Sequence, residues 1–598
     1  MPFATPVRDM QFILEHAANF DAVRDIGAYD DLSEEIIDAV LTEVAKLADN
    51  VFAPLNWTSD QQGARLENGQ VYTTPGFKEA YQEYVEGGWN AVAFPEEYGG
   101  QGMPSTIALA VYDALSAACI SLSMGMSLTQ GAVKALLKYG TDEQKALYLP
   151  KMATAEWSGT MNLSEPHAGS DLSQLKCKAE PVGDGTFKIK GTKCWISYGD
   201  HDLTENICHL VLARLPDAPE GTKGISMFLV PKYRVNEDGS LGSRNDVNIV
   251  SIEEKLGQHG SPTCVISFGD DDDCLGTLVG KENEGLKNMF VMMNSARIDV
   301  GMQGTSASEA SFQKALQYAQ ERPQGRPYGV RSGPQVPIYE HPDVRRQLMT
   351  MRALTDASRA LGYAAAIAHD IAEKATDEDV RRAAKEREDL LTPLAKAFPT
   401  DRAMEVTNHG IQIHGGMGFV EETGAAQFYR DARITQIYEG TNGIQAIDLV
   451  GRKLGMGEGK LAFDFMDDIS ALSQELADSD NASLVAIGKA LDTAVKELRD
   501  TTEYMIKAMS GTAEDGLAGA TPYLDQFGYV AGAYYLARGA KVAAKKSAEG
   551  DDPEYHDTKV HITRFYTDNV LPRATGLIPA VKAGAETVAK LDPEKLAS

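Results

Sequence analysis

The sequence lacks the cysteine spacing of a disulfide framework or a zinc site. Its cysteines form no C-x-x-C pair and no other paired spacing, so reduced thiols in a cytoplasmic compartment are the simplest interpretation. They are Cys119, Cys177, Cys194, Cys208, Cys264 and Cys274. The first residues also lack a basic segment followed by a long apolar run, and they are neither Arg-rich nor Ser-rich. We therefore expect no secretory or transit peptide.

Long apolar runs and positive charge are scarce as well. No window approaches the roughly 18 consecutive apolar residues that a membrane-spanning helix needs, so no membrane span is expected. The chain has 57 Lys and Arg residues against 86 Asp and Glu residues, which gives a formal charge of -29. This negative charge opposes binding to phosphate backbones and argues against a nucleic-acid partner.

Four catalytic signatures are absent from the sequence. There is no G-x-G-x-x-G between a predicted strand and a helix, no G-x-x-x-x-G-K-[ST], no H-E-x-x-H and no G-x-S-x-G. The sequence therefore gives no motif evidence for a nicotinamide dehydrogenase, a P-loop enzyme, a zinc protease or an α/β-hydrolase.

The 598 residues are too many for one hydrophobic core, and 43% of them are hydrophobic. Helical periodicity extends to about residue 157 and includes a capping box of Thr141 and Gln144. Short runs rich in β-branched and aromatic residues then predict a compact antiparallel β domain. Helical patterns resume afterwards, and the glycine-rich "GMGEG" at 455–459 marks a linker. We predict an α+β multidomain chain with helical domains at 1–158, 283–455 and 456–598 and a β domain at 159–282.

Two polar motifs belong to the predicted β domain. "SEPHAGSD" places Ser164 and Ser170 around a turn, and "KCWIS" places Trp195 and Ser197 on one side of a strand. Taken alone, the first motif is typical of a capped turn after a strand, and a lone Trp is typical of a core or an interface. The alternative is that both motifs offer hydroxyls, backbone amides and an aromatic surface to a ligand.

Further candidates lie in the second helical domain. "IQIHGGMGF" has the glycines that a close backbone approach to a ligand needs, although a helix C-cap explains it equally well. His414 within it is typical of a satisfied core histidine. Arg297, Arg322 and Arg326 are individually typical of surface ion pairs. Glu439 lies in "QIYEGTNGIQ", and on its own it is typical of a solvated loop charge.

Together, "SEPHAGSD", "KCWIS", "QIHGGMG" and "RDARITQIYEGTNGIQ" occur in the order and spacing of the acyl-CoA dehydrogenase family. The chain resembles this family from about residue 40 to 455. The resemblance implies a helical domain, a β domain and a C-terminal four-helix bundle that enclose FAD and an acyl-CoA. It also implies a homodimer or a dimer of dimers, electron transfer to an electron-transferring flavoprotein, and no metal site.

The resemblance assigns roles residue by residue. Glu439 matches the catalytic base, which removes the α proton of the thioester while the β hydride passes to the flavin. Ser170, Asn294 and Arg297 match positions along the acyl-CoA channel. The positions that match flavin-binding residues are Leu163, Ser164, Trp195, Ser197, Arg322, Gln412, Gly415, Gly416 and Thr441.

The sequence also departs from the family pattern. Ser164 replaces the usual Thr and keeps its hydroxyl, while "ERPQGRPYG" replaces the usual "ER-x-x-FG", so either Arg322 or Arg326 could contact the flavin phosphates. The chain continues past residue 455, as in a longer subgroup with an additional C-terminal helical domain. Within that subgroup it is most similar to the bacterial 3-methylmercaptopropionyl-CoA dehydrogenases of dimethylsulfoniopropionate breakdown, which form methylthioacryloyl-CoA.

Other functions stay open at this point. Dehydrogenases of short-, medium- and long-chain fatty acyl-CoA share much of the pattern. An acyl-CoA oxidase would have the same site with oxygen as the electron acceptor. A flavin-containing DNA-protection protein would share the fold and a helical C-terminal extension, although the acidic charge opposes this reading. A catalytically silent helical scaffold would have no need of Glu439.

Overall fold

The computed structural model describes residues 3–29 and 32–597, and the chain divides into two compact units. Pro6–Leu41 and Val300–Ser598 form one unit, which we call the bundle unit. Thr42–Asp299 makes up most of the other, which we call the sheet unit. Among residues 3–29 and 32–597, no helix is both long enough and apolar enough to cross a membrane.

The helices before residue 157 follow the predicted periodicity. The predicted capping box is present, since Thr141 Oγ1 accepts from the Gln144 backbone N–H at 3.1 Å and Gln144 Oε1 accepts from the Thr141 N–H at 3.0 Å. The helices are α1 (Val7–Phe12), α2 (Asp21–Arg24), α3 (Glu34–Leu47), α4 (Ala53–Gln62), α5 (Phe77–Glu86), α6 (Ser105–Ala118), α7 (Ile120–Tyr139) and α8 (Asp142–Ala153).

A small hairpin interrupts this helical region, and the periodicity analysis missed it. Strands β1 (Arg65–Glu67) and β2 (Gln70–Tyr72) pair antiparallel around Asn68 and Gly69, whose φ angles are 52° and 76°. An Asn-Gly pair with both residues in the left-handed region is the preferred two-residue hairpin turn. The signal was therefore in the sequence, but the strands are too short for a period-2 pattern to appear.

The main sheet of the sheet unit has the strand order β10-β11-β5-β12-β7-β6-β3, with β4 paired to β5. Strands β8 and β9 form a separate pair. The strands are β3 (Trp157–Asn162), β4 (Lys178–Pro181), β5 (Thr186–Ser197), β6 (Asn206–Ala213), β7 (Ser226–Pro231), β8 (Tyr233–Val235), β9 (Leu241–Arg244), β10 (Val247–Ile252), β11 (Thr263–Phe268) and β12 (Leu275–Leu278).

The predicted antiparallel arrangement needs one correction, because β3 and β6 pair parallel. The other pairs described are antiparallel. A parallel pair requires a long crossover, and the chain between these two strands provides it by forming β4 and β5. Every residue of β6 and β7 is buried, and Trp157 on β3 is fully buried against helix α7 and helix α8 residues in the same core.

The bundle unit is built on long helices. Helices α10 and α11 pack along each other, and Pro393 and Pro399 lie inside α11. The helices from residue 285 to 448 are α9 (Gly285–Glu321), α10 (Pro342–Lys374), α11 (Glu378–His414), α12 (Gly416–Phe419), α13 (Ala425–Ala432) and α14 (Asn442–Asp448).

The C-terminal helices belong to the same compact unit. The predicted linker contains Gly457, Glu458 and Gly459, all with positive φ, and α17 packs against both α10 and α11. The C-terminal helices are α15 (Lys460–Ala477), α16 (Ala482–Gly511), α17 (Ala513–Ala548), α18 (Pro553–Asn569), α19 (Pro572–Lys582) and α20 (Glu586–Ala589). The extra domain is therefore helical, as predicted, and it is packed onto the preceding helices rather than separated from them.

Candidate active site

Glu439 lies on a tight loop of the bundle unit, directly before α14. Its φ is 56° and that of Gly440 is 81°, so two successive residues adopt the left-handed region. For a residue with a Cβ this conformation costs roughly 1–2 kcal/mol. Such strain persists only where the surroundings enforce it, and it concentrates at functional sites. The side chain is half-buried, which does not fit a fully solvated loop charge.

Hydrogen bonds on both sides hold this loop. Thr441 caps α14, with Oγ1 accepting from the Ile444 N–H at 3.2 Å. Gln445 Nε2 donates back to the carbonyls of Glu439 at 3.4 Å and Gly440 at 3.2 Å. On the other side, the Tyr438 hydroxyl donates to Gln303. The Glu439 backbone is therefore anchored by the residues that precede and follow it.

Asn442 attaches the loop to α11. Its Oδ1 accepts from Lys396 Nζ at 2.7 Å, while its Nδ2 donates to Asp401 Oδ1 at 2.7 Å and to Thr400 Oγ1 at 3.0 Å. Lys396 is fully buried, and a buried ammonium is costly unless it is hydrogen-bonded. Sequence analysis missed this group. A single Lys inside the apolar run "LLTPLAKAF" was the available signal.

The predicted nucleotide-binding residues of the bundle unit are at the ends of two helices. Gln412, Gly415 and Gly416 are exposed where α11 ends, and Arg322 is exposed just after α9. The two ends are adjacent, because the Tyr318 ring stacks on His414 with 4.4 Å between ring centroids.

Gly415 ends α11 in a conformation that requires glycine. Its φ and ψ are 61° and -136°, and a Cβ at Gly415 or Gly416 would meet no atom within 4 Å. The C-cap interpretation is thus confirmed, and the open space around both glycines also suits a close ligand. His414 is the satisfied core histidine that was expected. It is buried, its Nδ1 bonds the Gly410 carbonyl at 2.7 Å, and burial lowers its pKa.

The arginine interpretations need revision. Arg297 is 6% exposed, so the surface ion pair expected for it is wrong. Arg326 and Arg322 are exposed, and no ion pair involves either one within the described residues. Arg326 Nε donates to the Gly333 carbonyl at 2.6 Å, and this hydrogen bond ties the Arg326 side chain to its own loop. The Arg322 guanidinium has no such hydrogen bond among the described residues, and which of the two arginines contacts a ligand stays a prediction.

In the sheet unit, a buried ion pair joins the "SEPHAGSD" turn to strand β5. Lys193 Nζ donates to Glu165 Oε1 at 2.9 Å and to the Leu163 carbonyl at 3.0 Å, and both charged side chains are buried. The Cys194 N–H donates to the Ser164 carbonyl at 3.0 Å. Sequence analysis did not identify this clamp, although Lys193 shares the strand face of the buried Ile189.

Glu165 is also fixed by the backbone. Its two carboxylate oxygens accept from the N–H groups of Lys176 at 2.8 Å and Cys177 at 2.9 Å. Burial alone would raise the pKa of Glu165, but Lys193 and these amides lower it further than burial raises it. The carboxylate is therefore charged at neutral pH, and the turn that carries Leu163 and Ser164 is held rigidly beside β5.

Trp195 is exposed near the end of strand β5. Its side chain is 63% exposed and its φ is 62°, where the pairing of β5 with β11 shifts register. The core interpretation of Trp195 is therefore wrong. Ser197 is half-buried, and Ile196 between Trp195 and Ser197 is buried. The strand end presents an aromatic plane and a hydroxyl, next to the turn with Leu163 and Ser164.

The predicted substrate residues lie in two places in the sheet unit. Asn294 and Arg297 are on α9 one turn apart, and Arg297 Nη1 donates to Asn294 Oδ1 at 3.4 Å. Ser170 is exposed at the end of the "SEPHAGSD" turn, where the Gly169 Cα faces open space.

Each group by itself suits one part of a flavin nucleotide. The sheet unit offers an exposed indole with two nearby Ser residues, and the bundle unit offers paired glycines in open space with an available guanidinium. Aromatic surface and hydroxyls suit the ring system of a flavin, and backbone amides with Arg suit a pyrophosphate. Among the described residues no cluster of His, Cys, Asp or Glu could hold a metal ion.

Comparison with known proteins defines the family. The family models for the acyl-CoA dehydrogenase N-terminal, middle and C-terminal domains match residues 35–156, 160–270 and 283–454. A fourth model, acetyl-CoA dehydrogenase C-terminal like, matches residues 465–592. The chain therefore belongs to the acyl-CoA dehydrogenase family, whose members are FAD-dependent oxidoreductases.

Individual relatives cover nearly the whole chain. It is 43% identical over 571 residues to 3-methylmercaptopropionyl-CoA dehydrogenase of Ruegeria pomeroyi, with 96% of both chains covered. It is 34% identical over 607 residues to a butyryl-CoA dehydrogenase of Syntrophomonas wolfei, with 98% of both covered. The crystal structure of a Bacillus anthracis acyl-CoA dehydrogenase complexed with FAD matches with a TM-score of 0.72 at 22% identity, covering 95% of this chain and 90% of that one.

The comparisons confirm the predicted fold class with its extra C-terminal helical domain. The exact domain boundaries and the roles of the individual site residues stay predictions.

The clamp of the sheet unit can be tested by Glu165→Gln. The substitution leaves the buried Lys193 ammonium without its counter-charge, so we expect the free energy of unfolding of the sheet unit to fall by about 3 kcal/mol. Glu180→Gln, an exposed position on β4, is the matched control and should change little. Hydrogen exchange of the main sheet gives the local free energy of opening.

The same clamp predicts a pH dependence. Because the pKa of Glu165 is lower in the folded protein, its stabilisation is complete above the ordinary value of 4.5 and is lost as the pH falls through the lower folded value. Wild-type stability should therefore fall more steeply than that of Glu165→Gln below pH 4.5. Parallel acid profiles for the two proteins would refute the assignment.

Proposed function

We propose that this protein oxidises 3-methylmercaptopropionyl-CoA to methylthioacryloyl-CoA, with Glu439 as the base. The structural observation that carries the catalytic assignment is the strained, fully anchored backbone at Glu439 and Gly440. The linker residue Glu458 also has a positive φ, but it is exposed, whereas Glu439 is half-buried on a loop that Gln445 holds by two hydrogen bonds. The substrate assignment is supported by the 43% identity, over nearly the full length, to the Ruegeria enzyme of that name.

The reaction breaks two C–H bonds and forms one C=C bond. The α proton goes to the Glu439 carboxylate, and the hydride leaves the β carbon. When bound, FAD supplies the acceptor for that hydride. An α proton of a thioester is too weakly acidic for a carboxylate to remove without stabilisation of the developing enolate, so donors to the thioester carbonyl must be preorganised. The hydrogen bonds that hold the loop would keep the Glu439 N–H in place as one such donor.

The other predicted residues orient the reactants. Leu163, Ser164, Trp195 and Ser197 would hold the flavin ring, and the Glu165–Lys193 clamp keeps the first two in place. The nucleotide part would be held by Arg322, Gln412, Gly415 and Gly416, and Thr441 would contact the flavin near the catalytic loop. Ser170, Asn294 and Arg297 would line the acyl-CoA channel. These groups bind and exclude water, while the cofactor supplies the redox chemistry.

The family resemblance also implies an oligomeric state, an electron acceptor and a cellular compartment. We expect a homodimer or a dimer of dimers that passes its electrons to an electron-transferring flavoprotein. All six cysteines are free and buried, which suits a reducing cytoplasm.

A general fatty acyl-CoA dehydrogenase is the second candidate, favoured by the 34% identity to the butyryl-CoA enzyme. The two candidates are discriminated by their values of kcat/KM for 3-methylmercaptopropionyl-, butyryl- and octanoyl-CoA. We expect the sulfur-containing thioester to exceed both others by at least about tenfold, a typical result of a pocket matched to one side chain. A preference for butyryl- or octanoyl-CoA would transfer the assignment to the second candidate.

The role of Glu439 is tested by Glu439→Gln, which preserves the size of the side chain but removes the base. General-base catalysis contributes about 10²–10⁴-fold, so flavin bleaching by saturating acyl-CoA under anaerobic conditions should slow by at least that lower factor. Flavin content and acyl-CoA affinity should be retained. Glu503→Gln, exposed on α16, is the matched control and should bleach at the wild-type rate. Rapid bleaching in Glu439→Gln would remove Glu439 as the base.

A further inference from the structure

The C-terminal helices contact the part of α11 that holds the Glu439 loop. Lys396, Thr400 and Asp401, which bind Asn442, occupy one stretch of α11 around Pro399. We call this stretch, residues 395–402, the support turn. Proline has no N–H, so Pro399 leaves the Ala395 carbonyl without its helical donor and loosens the local hydrogen-bond ladder. The Thr400 hydroxyl bonds the Lys396 carbonyl at 2.9 Å and the Ala397 carbonyl at 3.0 Å.

Helix α17 packs on the other side of the support turn. The Phe398 ring lies edge-on to Tyr529, with 5.4 Å between centroids and an interplanar angle of 84°. Both residues are buried. A Cβ on Gly528 would come within 2.5 Å of the Phe398 ring, so the two helices touch here without space for a methyl group. A shift of α17 must therefore shift Phe398, because a packed core does not yield freely.

A polar contact accompanies this packing. Arg402 Nη2 donates to Asp525 Oδ1 on α17 at 3.0 Å, and its guanidinium also donates to the Tyr529 hydroxyl. Arg402 follows Asp401 directly in the chain. Burial raises the pKa of Asp525, Arg402 opposes that rise and Asp401 adds to it, so the charges of α17 and the support turn interact.

The α17 side of this contact is itself fixed within the C-terminal domain. The Tyr566 hydroxyl of α18 donates to the Tyr529 carbonyl at 3.0 Å. Arg573 of α19 donates to Glu405 Oε1 at 2.8 Å, one turn beyond Arg402 on α11. Helices α17 and α19 therefore contact this segment of α11 directly, and α18 holds α17 in place.

We propose that α17 is a positioning element for catalysis, which fixes the Glu439 loop through the support turn and Asn442. This inference rests on the proposed function. It assigns a role to the additional C-terminal domain that a simple cover would not have. Helix α17 would act through the support turn, so its effect is expected in the rate of the chemical step rather than in acyl-CoA binding. Misplacement of a catalytic group by about 1 Å can cost about 10²-fold in rate.

The test compares two Gly→Ala variants of the full-length, FAD-loaded protein. Gly528→Ala places a methyl group against Phe398, whereas Gly576→Ala on α19 meets no atom within 4 Å and is the matched control. We expect Gly528→Ala to lower the limiting rate of anaerobic flavin reduction by about 10–100-fold, with the acyl-CoA dissociation constant changed by less than about twofold. Gly576→Ala should retain the wild-type rate. Equal rates for the two variants would overturn the inference.

A double mutant tests the route of the effect. Asn442→Ala removes the Asn442 hydrogen bonds to the support turn but leaves Gln436 Nε2 donating to Asp401 Oδ1 at 2.5 Å. Adding Gly528→Ala to it should therefore slow reduction by less than the product of the two single effects. Independent, multiplicative effects would contradict transmission through Asn442. If Gly528→Ala does not fold, Tyr529→Phe removes only the hydroxyl that binds Arg402 and should slow reduction in the same, non-multiplicative way. A wild-type rate in that variant would count against the inference.

Hydrogen exchange separates this inference from the proposed function. Gly528→Ala should increase exchange in residues 434–445, and Gly576→Ala should not. Unchanged exchange in that peptide overturns the coupling whatever the protein oxidises. Failure of the flavin-loaded wild type to be bleached by any of the three acyl-CoA thioesters overturns the proposed function instead.

Discussion

The left-handed backbone at Glu439 and Gly440 is the constraint on which the bundle unit depends. A strained non-glycine residue relaxes unless its neighbours prevent it, and here the neighbours act from three directions. Gln445 binds the loop carbonyls, Tyr438 anchors the preceding turn, and Asn442 fastens the following residue to α11. The buried Lys396 ammonium is stabilised in part by its hydrogen bond to Asn442, so the same side chain contributes to the geometry of the loop and to the packing of α11.

The sheet unit solves a similar problem with a buried ion pair. Replacing such a pair by apolar residues is often neutral for stability, so its presence is better explained by the geometry it imposes. Lys193 binds both Glu165 and the Leu163 carbonyl, which sets the turn against β5. The exposed Trp195 lies two residues further along the same strand, in a backbone conformation that an ordinary strand would avoid. The polar clamp and the strained aromatic residue together define one rigid surface.

Sequence reasoning succeeded where a pattern repeats or where a motif is local. The capping box at Thr141, the long C-terminal helices and the glycine that ends α11 all follow from short-range chemistry. It failed where the answer depends on residues far apart in the chain. The parallel pairing of β3 and β6 requires a crossover that no local signal encodes. The partners of Lys193 and Lys396 are separated from them by 28 and 46 residues, so periodicity could not identify either contact.

The reaction assigned to this protein is the formation of a carbon–carbon double bond α,β to a thioester, with the two electrons passing to bound FAD. In the most direct measurement, the FAD-loaded protein is mixed with 3-methylmercaptopropionyl-CoA in the absence of oxygen, and the thioester products are quantified after one turnover. We expect one methylthioacryloyl-CoA for each FAD that is bleached. A flavin-loaded protein that leaves the thioester saturated, or that loses its visible absorbance without forming the unsaturated product, would contradict it.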